Sequence, residues 1–187
     1  MDAKTEITPV QRPAAPIDTG VRIGHVHLKV ADLDRSLAFY CGVLGFELMQ
    51  RVHGAAFISA GGYHHHIGLN TWESQGGSPP PQGTTGLYHL AILYPTRAKL
   101  ADALRRLLEA NVPLEGASDH GVSEALYLRD PDDNGVELYW DRPKEEWPRN
   151  ADGKLAMGTE RLDLRELLRE LEPDRPQVAK AEAAADR

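Results

Sequence analysis

Four residues set the chemistry this chain could attempt: His25, His66, His89 and Glu137. Glu137 stands between Val136 and Leu138 in an apolar run. A carboxylate inside such a run must be paired, hydrogen-bonded or bound to a metal. His25 and His89 each open an alternating apolar run, GHVHL and YHLAI. A single histidine on a half-buried strand is more often a hydrogen-bonded core residue than a ligand. A single glutamate in a strand more often faces solvent. What makes a set of these residues is a repeat in the chain.

The first run (21–30) alternates as a strand does. Asp32 then caps a helix carrying Leu33, Leu37 and Tyr40 on one face. Residues 46–52, 55–60 and 63–72 read as three further strands, with turns between them. A Gly/Pro/Ser-rich connector (73–86) follows, and the same order recurs. Residues 87–94 form a strand, and 96–110 a helix with Leu100, Ala103, Leu104, Leu107 and Leu108 on its apolar face. Residues 112–118, 123–129 and 136–140 are strands. The chain is β-α-β-β-β written twice, and a repeat governs the fold expected. Superposing the halves places His89 on His25, 64 positions apart, and Glu137 on Gly68, 69 apart. Two histidines and one carboxylate at repeat-equivalent inner positions form a metal face with coordination positions left open. That donor set suits Fe(II) and O₂ chemistry, with Mn(II) as the alternative.

His66 lies two residues before Gly68 and so faces the same side of its strand. A histidine, with an ordinary pKa near about 6.5, can exchange a proton with a phenol at neutral pH. Tyr127 alternates with Leu126 and Leu128 and points away from them. His27 shares the face of His25 and is read as a hydrogen-bonded structural residue. His53 reads as a surface residue, and Cys41 as helix packing.

The bulk composition narrows the classes. The chain has 187 residues, 41% hydrophobic and 26% charged, with a net charge of −7. That charge, without any Lys/Arg-rich run, argues against a nucleic-acid partner. No apolar stretch is long enough to span a bilayer. The single cysteine, Cys41, excludes an intrachain disulfide framework and fits a reducing, cytoplasmic setting. No GxSxG elbow or phosphate-binding glycine loop is present. The domain plan expected is a flexible arm (1–20), a first module (21–72), a linker (73–86), a second module (87–143) and an extension (144–187). The extension carries a short leucine-bearing helix within 159–171, with Asp163 and Glu166 spaced as a capping box, and a frayed tail. The helix is expected to pack or to make a dimer contact.

HVHLKVADLDRSLAFYCGVLGF, YHHHIGLNTW and HGVSEALYLRDPDDNGVELYWDRP resemble the vicinal oxygen chelate superfamily. It includes glyoxalase I, bleomycin- and fosfomycin-resistance proteins and extradiol dioxygenases. The resemblance runs over 21–143 and is nearest to small catechol-2,3-dioxygenase-like members. It implies an α+β fold of two βαβββ modules in a curved mixed sheet around one metal. It further implies His25, His89 and Glu137 as metal ligands, His66 as the acid/base residue, and Tyr127 and His120 as substrate contacts. The implied substrates are a small aromatic diol and O₂, and the homodimer expected rests on the leucine-bearing segment 159–171. The family's turn has Gly where this chain has Asp133, and glyoxalase I-like members have a carboxylate where it has Gly68. That glycine points to ring cleavage rather than to a glyoxalase-type lyase or isomerase, or to a metal-free drug-binding protein.

Overall fold

The computed structural model describes residues 15–172. The expected arm up to residue 14 and the tail from 173 lie outside the described residues. The elements run β1 (Val26–Lys29), α1 (Leu33–Leu37), β2 (Glu47–Val52), β3 (Ala55–Ser59), β4 (Ile67–Asn70), β5 (Leu90–Leu93), α2 (Arg97–Glu109), β6 (Leu114–Asp119), β7 (Ser123–Arg129), β8 (Gly135–Asp141), β9 (Glu160–Arg161) and α3 (Leu164–Leu168). The α+β class and the doubled β-α-β-β-β order are as expected. The strands divide between two mixed sheets, β1-β4-β3-β2 and β5-β8-β7-β6-β9.

Register carries the repeat to the level of single residues. The edge strand β1 runs parallel to β4 and sets His27 opposite Gly68. The edge strand β5 runs parallel to β8 and sets Ala91 opposite Glu137. The position that holds Gly68 in one sheet therefore holds Glu137 in the other.

Several elements are shorter than their alternation predicts. Residues 21–25 are not strand, because β4 begins only at Ile67 and the first bond between the two strands is Val26 N–H to the His66 carbonyl. A strand without a partner leaves its backbone groups to water. Residues 63–66 likewise precede β4. Asp32 caps α1 by accepting from the Arg35 N–H. The helix then widens into a π-turn (Ala38–Val43), which buries Phe39 and Tyr40 together. In α2, capped by Thr96, the face expected is buried except Leu108, which is exposed. One apolar cluster joins both halves, including Leu28, Tyr40, Leu69, Leu104 and Leu138.

The halves are also tied by polar contacts from the turn after β7. Tyr40 donates its hydroxyl proton to buried Asp130, at 2.9 Å. Asp132 accepts from the Ala31 N–H at 2.9 Å, from Arg35 at 2.5 Å and from the Ser36 hydroxyl at 3.3 Å. Burial, and then the charge of Asp130, pushes the Tyr40 hydroxyl far above its ordinary pKa. Asp133, standing where glycine is the easy choice, has φ of +65°; aspartate is among the residues that tolerate this region.

The extension folds back onto the second sheet. Strand β9 pairs antiparallel with β6, and Leu162 and Leu167 enter the core. Asp163 caps α3 by accepting from the Arg165 and Glu166 N–H groups. Glu166 does not close the capping box expected of it; its carboxylate instead takes a hydrogen bond from Arg97, which also bonds buried Glu124. The leucine-bearing segment thus packs within its own chain.

Candidate metal and substrate site

The second sheet gathers four of the residues singled out from sequence. His89 Nε2 lies 2.9 Å from Glu137 Oε2. The Tyr127 hydroxyl donates to Glu137 Oε1 at 3.1 Å. His120 Nε2 lies 2.8 Å from the same hydroxyl. Both Glu137 oxygens are therefore engaged, and the side chain is only 13% exposed. That is how an apolar strand accommodates a carboxylate.

The elements explain the convergence. Tyr127 on β7 stands directly opposite Glu137 on β8. Leu126 and Leu128 turn the other way, into the core. His89 is the residue just before β5, beside Gly135. The Tyr88 carbonyl lies only 2.1 Å from where a Cβ at 135 would stand, so no side chain fits there. Glycine at 135 thus allows the His89 backbone to cross close enough for its ring to reach Glu137. Burial, then the charge and hydrogen bond of Glu137, push the Tyr127 phenol up to about 12. The phenol keeps its proton, and so remains a donor, throughout the neutral range. Tyr88, His89, Glu115, Tyr127 and Arg129 border a cleft of about 220 Å³.

The first sheet gathers the other histidines. The His25 ring lies 4.5 Å, centre to centre, from that of His65, which in turn lies 5.1 Å from Phe57. His25 makes no contact with His89 or Glu137, and among the described residues no group of three His, Cys, Asp or Glu is disposed around one ion. His66 is exposed. Its Nδ1 accepts from the Ala60 N–H at 3.3 Å and lies 2.9 Å from the Ser59 hydroxyl. An N–H can only donate, so the ring proton of neutral His66 sits on Nε2. His27 packs between Phe57 and Trp72, with ring centres 6.1 and 5.5 Å away. Its ring would meet a Cβ at position 68 at 3.0 Å. Burial, then the nearby His25, lower the pKa of His27.

The donors were tested for fit to a divalent ion. Two ligand atoms about 2.1 Å from one ion and at a right angle lie about 3.0 Å apart. His89 Nε2 and Glu137 Oε2, at 2.9 Å, meet that requirement. Sequence reasoning missed Tyr88 and Gly158 and left His65 without an assigned role. His65 carries only the signal of its neighbour His66. Gly158, whose carbonyl lies 2.9 Å from His120 Nδ1, carries none, because a backbone carbonyl leaves no mark on residue type.

Comparison with known proteins places this arrangement. Residues 22–138 match the model of the family described as the Glyoxalase/Bleomycin resistance protein/Dioxygenase superfamily. A protein of Bacillus subtilis (strain 168), catechol-2,3-dioxygenase, is 42% identical over 159 residues, covering 85% of this chain and 55% of the relative. The chain thus spans a little over half the length of that relative. A probable lactoylglutathione lyase of Synechocystis sp. is 27% identical, covering 61% of this chain and 91% of the relative. Among solved structures, the glyoxylase/bleomycin resistance protein/dioxygenase domain from Frankia sp. EAN1pec superposes with a TM-score of 0.55 at 26% identity, covering 65% of this chain and 98% of that one.

Proposed function

Since the chain belongs to the glyoxalase/bleomycin resistance protein/dioxygenase superfamily, we propose that it is an extradiol-type dioxygenase that cleaves a catechol-like diol with O₂. The observation that carries this reading is the shared carboxylate, with one Glu137 oxygen 2.9 Å from His89 Nε2 and the other hydrogen-bonded by Tyr127. A potential metal ligand thus adjoins a phenol and an imidazole that can serve a substrate. The 42% identical catechol-2,3-dioxygenase supports the same chemistry.

His89 and Glu137 would hold the metal, with His25 as third ligand. Fe(II), or Mn(II) in its place, would supply a Lewis-acidic centre open to the diol and O₂. His25 and His66 each stand one residue before a strand of the first sheet, so the reading requires the exposed face of that sheet to meet that of the second. A homodimer is one route to that meeting, and a measured solution mass checks it. Tyr127, held protonated, would turn its single O–H from Glu137 to a substrate oxygen. His120 lies directly behind it and holds or returns a proton at Nε2. His66 presents Nε2–H as it stands, and Ser59 is placed to accept from Nδ1 when the ring takes a second proton.

The glyoxalase-type alternative needs a fourth ligand, from His27 or His66. The His27 ring is packed on Gly68, and His66 Nδ1 faces Ser59 and Ala60. Neither arrangement favours it.

Metal analysis of anaerobically purified protein, with and without His66→Ala, tests the proposal. The variant is expected to keep its iron and to lose turnover of an accepted catechol by on the order of a hundredfold or more. Wild-type protein that binds no metal, or a variant with undiminished turnover, would overturn the reading or the role of His66, respectively.

A further inference from the structure

His120 is held from behind by a segment that follows the second module. After Pro143 the chain turns, passes Pro148, and forms a small loop closed by the Arg149–Leu155 bridge. It returns through Gly158 to β9, which pairs with β6 just before His120. The contacts at His120 are reciprocal. The Gly158 N–H donates to the His120 carbonyl at 3.1 Å, and the Gly158 carbonyl lies 2.9 Å from His120 Nδ1. The Thr159 hydroxyl lies 3.4 Å from the same nitrogen. Pro148 packs on the turn at Gly121, whose φ is +76°, and Ala156 N–H donates to the Pro148 carbonyl at 2.9 Å.

Hydrogen-bond bookkeeping fixes the ring. A carbonyl only accepts, so Nδ1 must carry a proton. Nε2 is then the nitrogen that faces Tyr127, at 2.8 Å. When bare, Nε2 competes with Glu137 for the single Tyr127 O–H. When protonated, it donates to the Tyr127 oxygen and leaves that O–H wholly to Glu137. Either way Nε2 alone gains or loses the proton, and it does so in contact with the residue that bonds Glu137.

We propose that residues 147–161 are a positioning element that fixes His120 with Nδ1–H on the Gly158 carbonyl and so directs Nε2 at Tyr127. The positioning residue is Gly158, acting through its backbone. The consequence for turnover rests on the dioxygenase reading above; the fixed tautomer does not.

The test begins with nitrogen-15 NMR of the histidine rings in metal-free, full-length protein above neutral pH, with His120 identified by loss of its signals in His120→Ala. One tautomer, protonated at Nδ1, is expected for His120. A ring protonated at Nε2, or averaged between tautomers as in a free peptide, would overturn the proposal whatever the protein catalyses. Gly158→Pro deletes the N–H that bonds the His120 carbonyl. It is expected to release the ring into averaging and to lower kcat for a catechol by on the order of tenfold with KM little changed. Gly158→Ala keeps both bonds and has open space for its Cβ, so it is expected to match wild type. In a His120→Ala background, Gly158→Pro is expected to add nothing further; a second, additive loss would mean that the segment acts elsewhere and would contradict the assignment. Should Gly158→Pro fail to fold, the wild-type tautomer decides alone.

Discussion

The two sheets share one plan and spend the same cross-strand position differently. In the first, the edge strand brings the bulk: His27 lies over Gly68. In the second, the edge strand offers only Ala91, and the bulk is Glu137 on the neighbouring strand. Each pair is one large and one small side chain. The exchange decides the chemistry. Glu137 reaches His89 and Tyr127 and forms a polar cluster, whereas Gly68 leaves the first sheet an aromatic surface of His25, His27, Phe57 and His65. A duplicated scaffold thus gathers two of the proposed ligands, His89 and Glu137, in one copy and the third, His25, in the other.

Breaking the second pair is expected to have the largest effect. Glu137→Ala takes away both the candidate ligand and the acceptor of Tyr127. Metal affinity, read by equilibrium dialysis, is expected to fall by more than the roughly 10–100-fold that outer hydrogen-bond partners cost, and turnover with it. Cutting the tie between the halves comes next. Tyr40→Phe leaves buried Asp130 without one of its donors and is expected to cost about 1–3 kcal/mol in a urea unfolding midpoint. Gly68→Ala sharpens the comparison from the other side. Its Cβ meets the His27 ring at 3.0 Å, so a cost at the lower end of about 1–3 kcal/mol is expected with metal content unchanged. Adding His27→Ala is expected to recover most of that cost, a non-additivity due to direct contact. If the double variant is no more stable than Gly68→Ala, the small-for-large exchange is not what sets the first pair.

Much of this was legible in the sequence, because it follows from period and repeat. Alternation located the strands, and superposing the two runs put Gly68 opposite Glu137 in rank before any register was seen. His89 and Glu137 were paired in that reading as metal ligands, whereas Tyr127 entered it as a substrate contact implied by the resemblance, and it is the pairing of β7 with β8 that joins it to Glu137. Three features were not legible. Residues 21–25 alternate like a strand, yet pairing depends on where a distant strand begins. The π-turn at Ala38–Val43 shifts the buried face by part of a turn, which a period of 3.6 does not foresee. The curved mixed sheet came from the resemblance; the strand pattern alone does not tell that each module forms a sheet of its own. The positions of His25 against His65, and of Glu166 on Arg97 rather than in a capping box, are long-range outcomes of the same kind.

We propose that the Glu137 cluster serves oxygen-dependent cleavage of a catechol-like diol. The most direct measurement loads anaerobically purified protein with Fe(II), adds a catechol, admits O₂, and follows oxygen uptake together with the yellow ring-opened product. The account predicts one O₂ consumed per product formed, and loss of both signals in Glu137→Ala. Metal-loaded protein that binds the diol and consumes no oxygen, or oxygen uptake that survives Glu137→Ala undiminished, would contradict it.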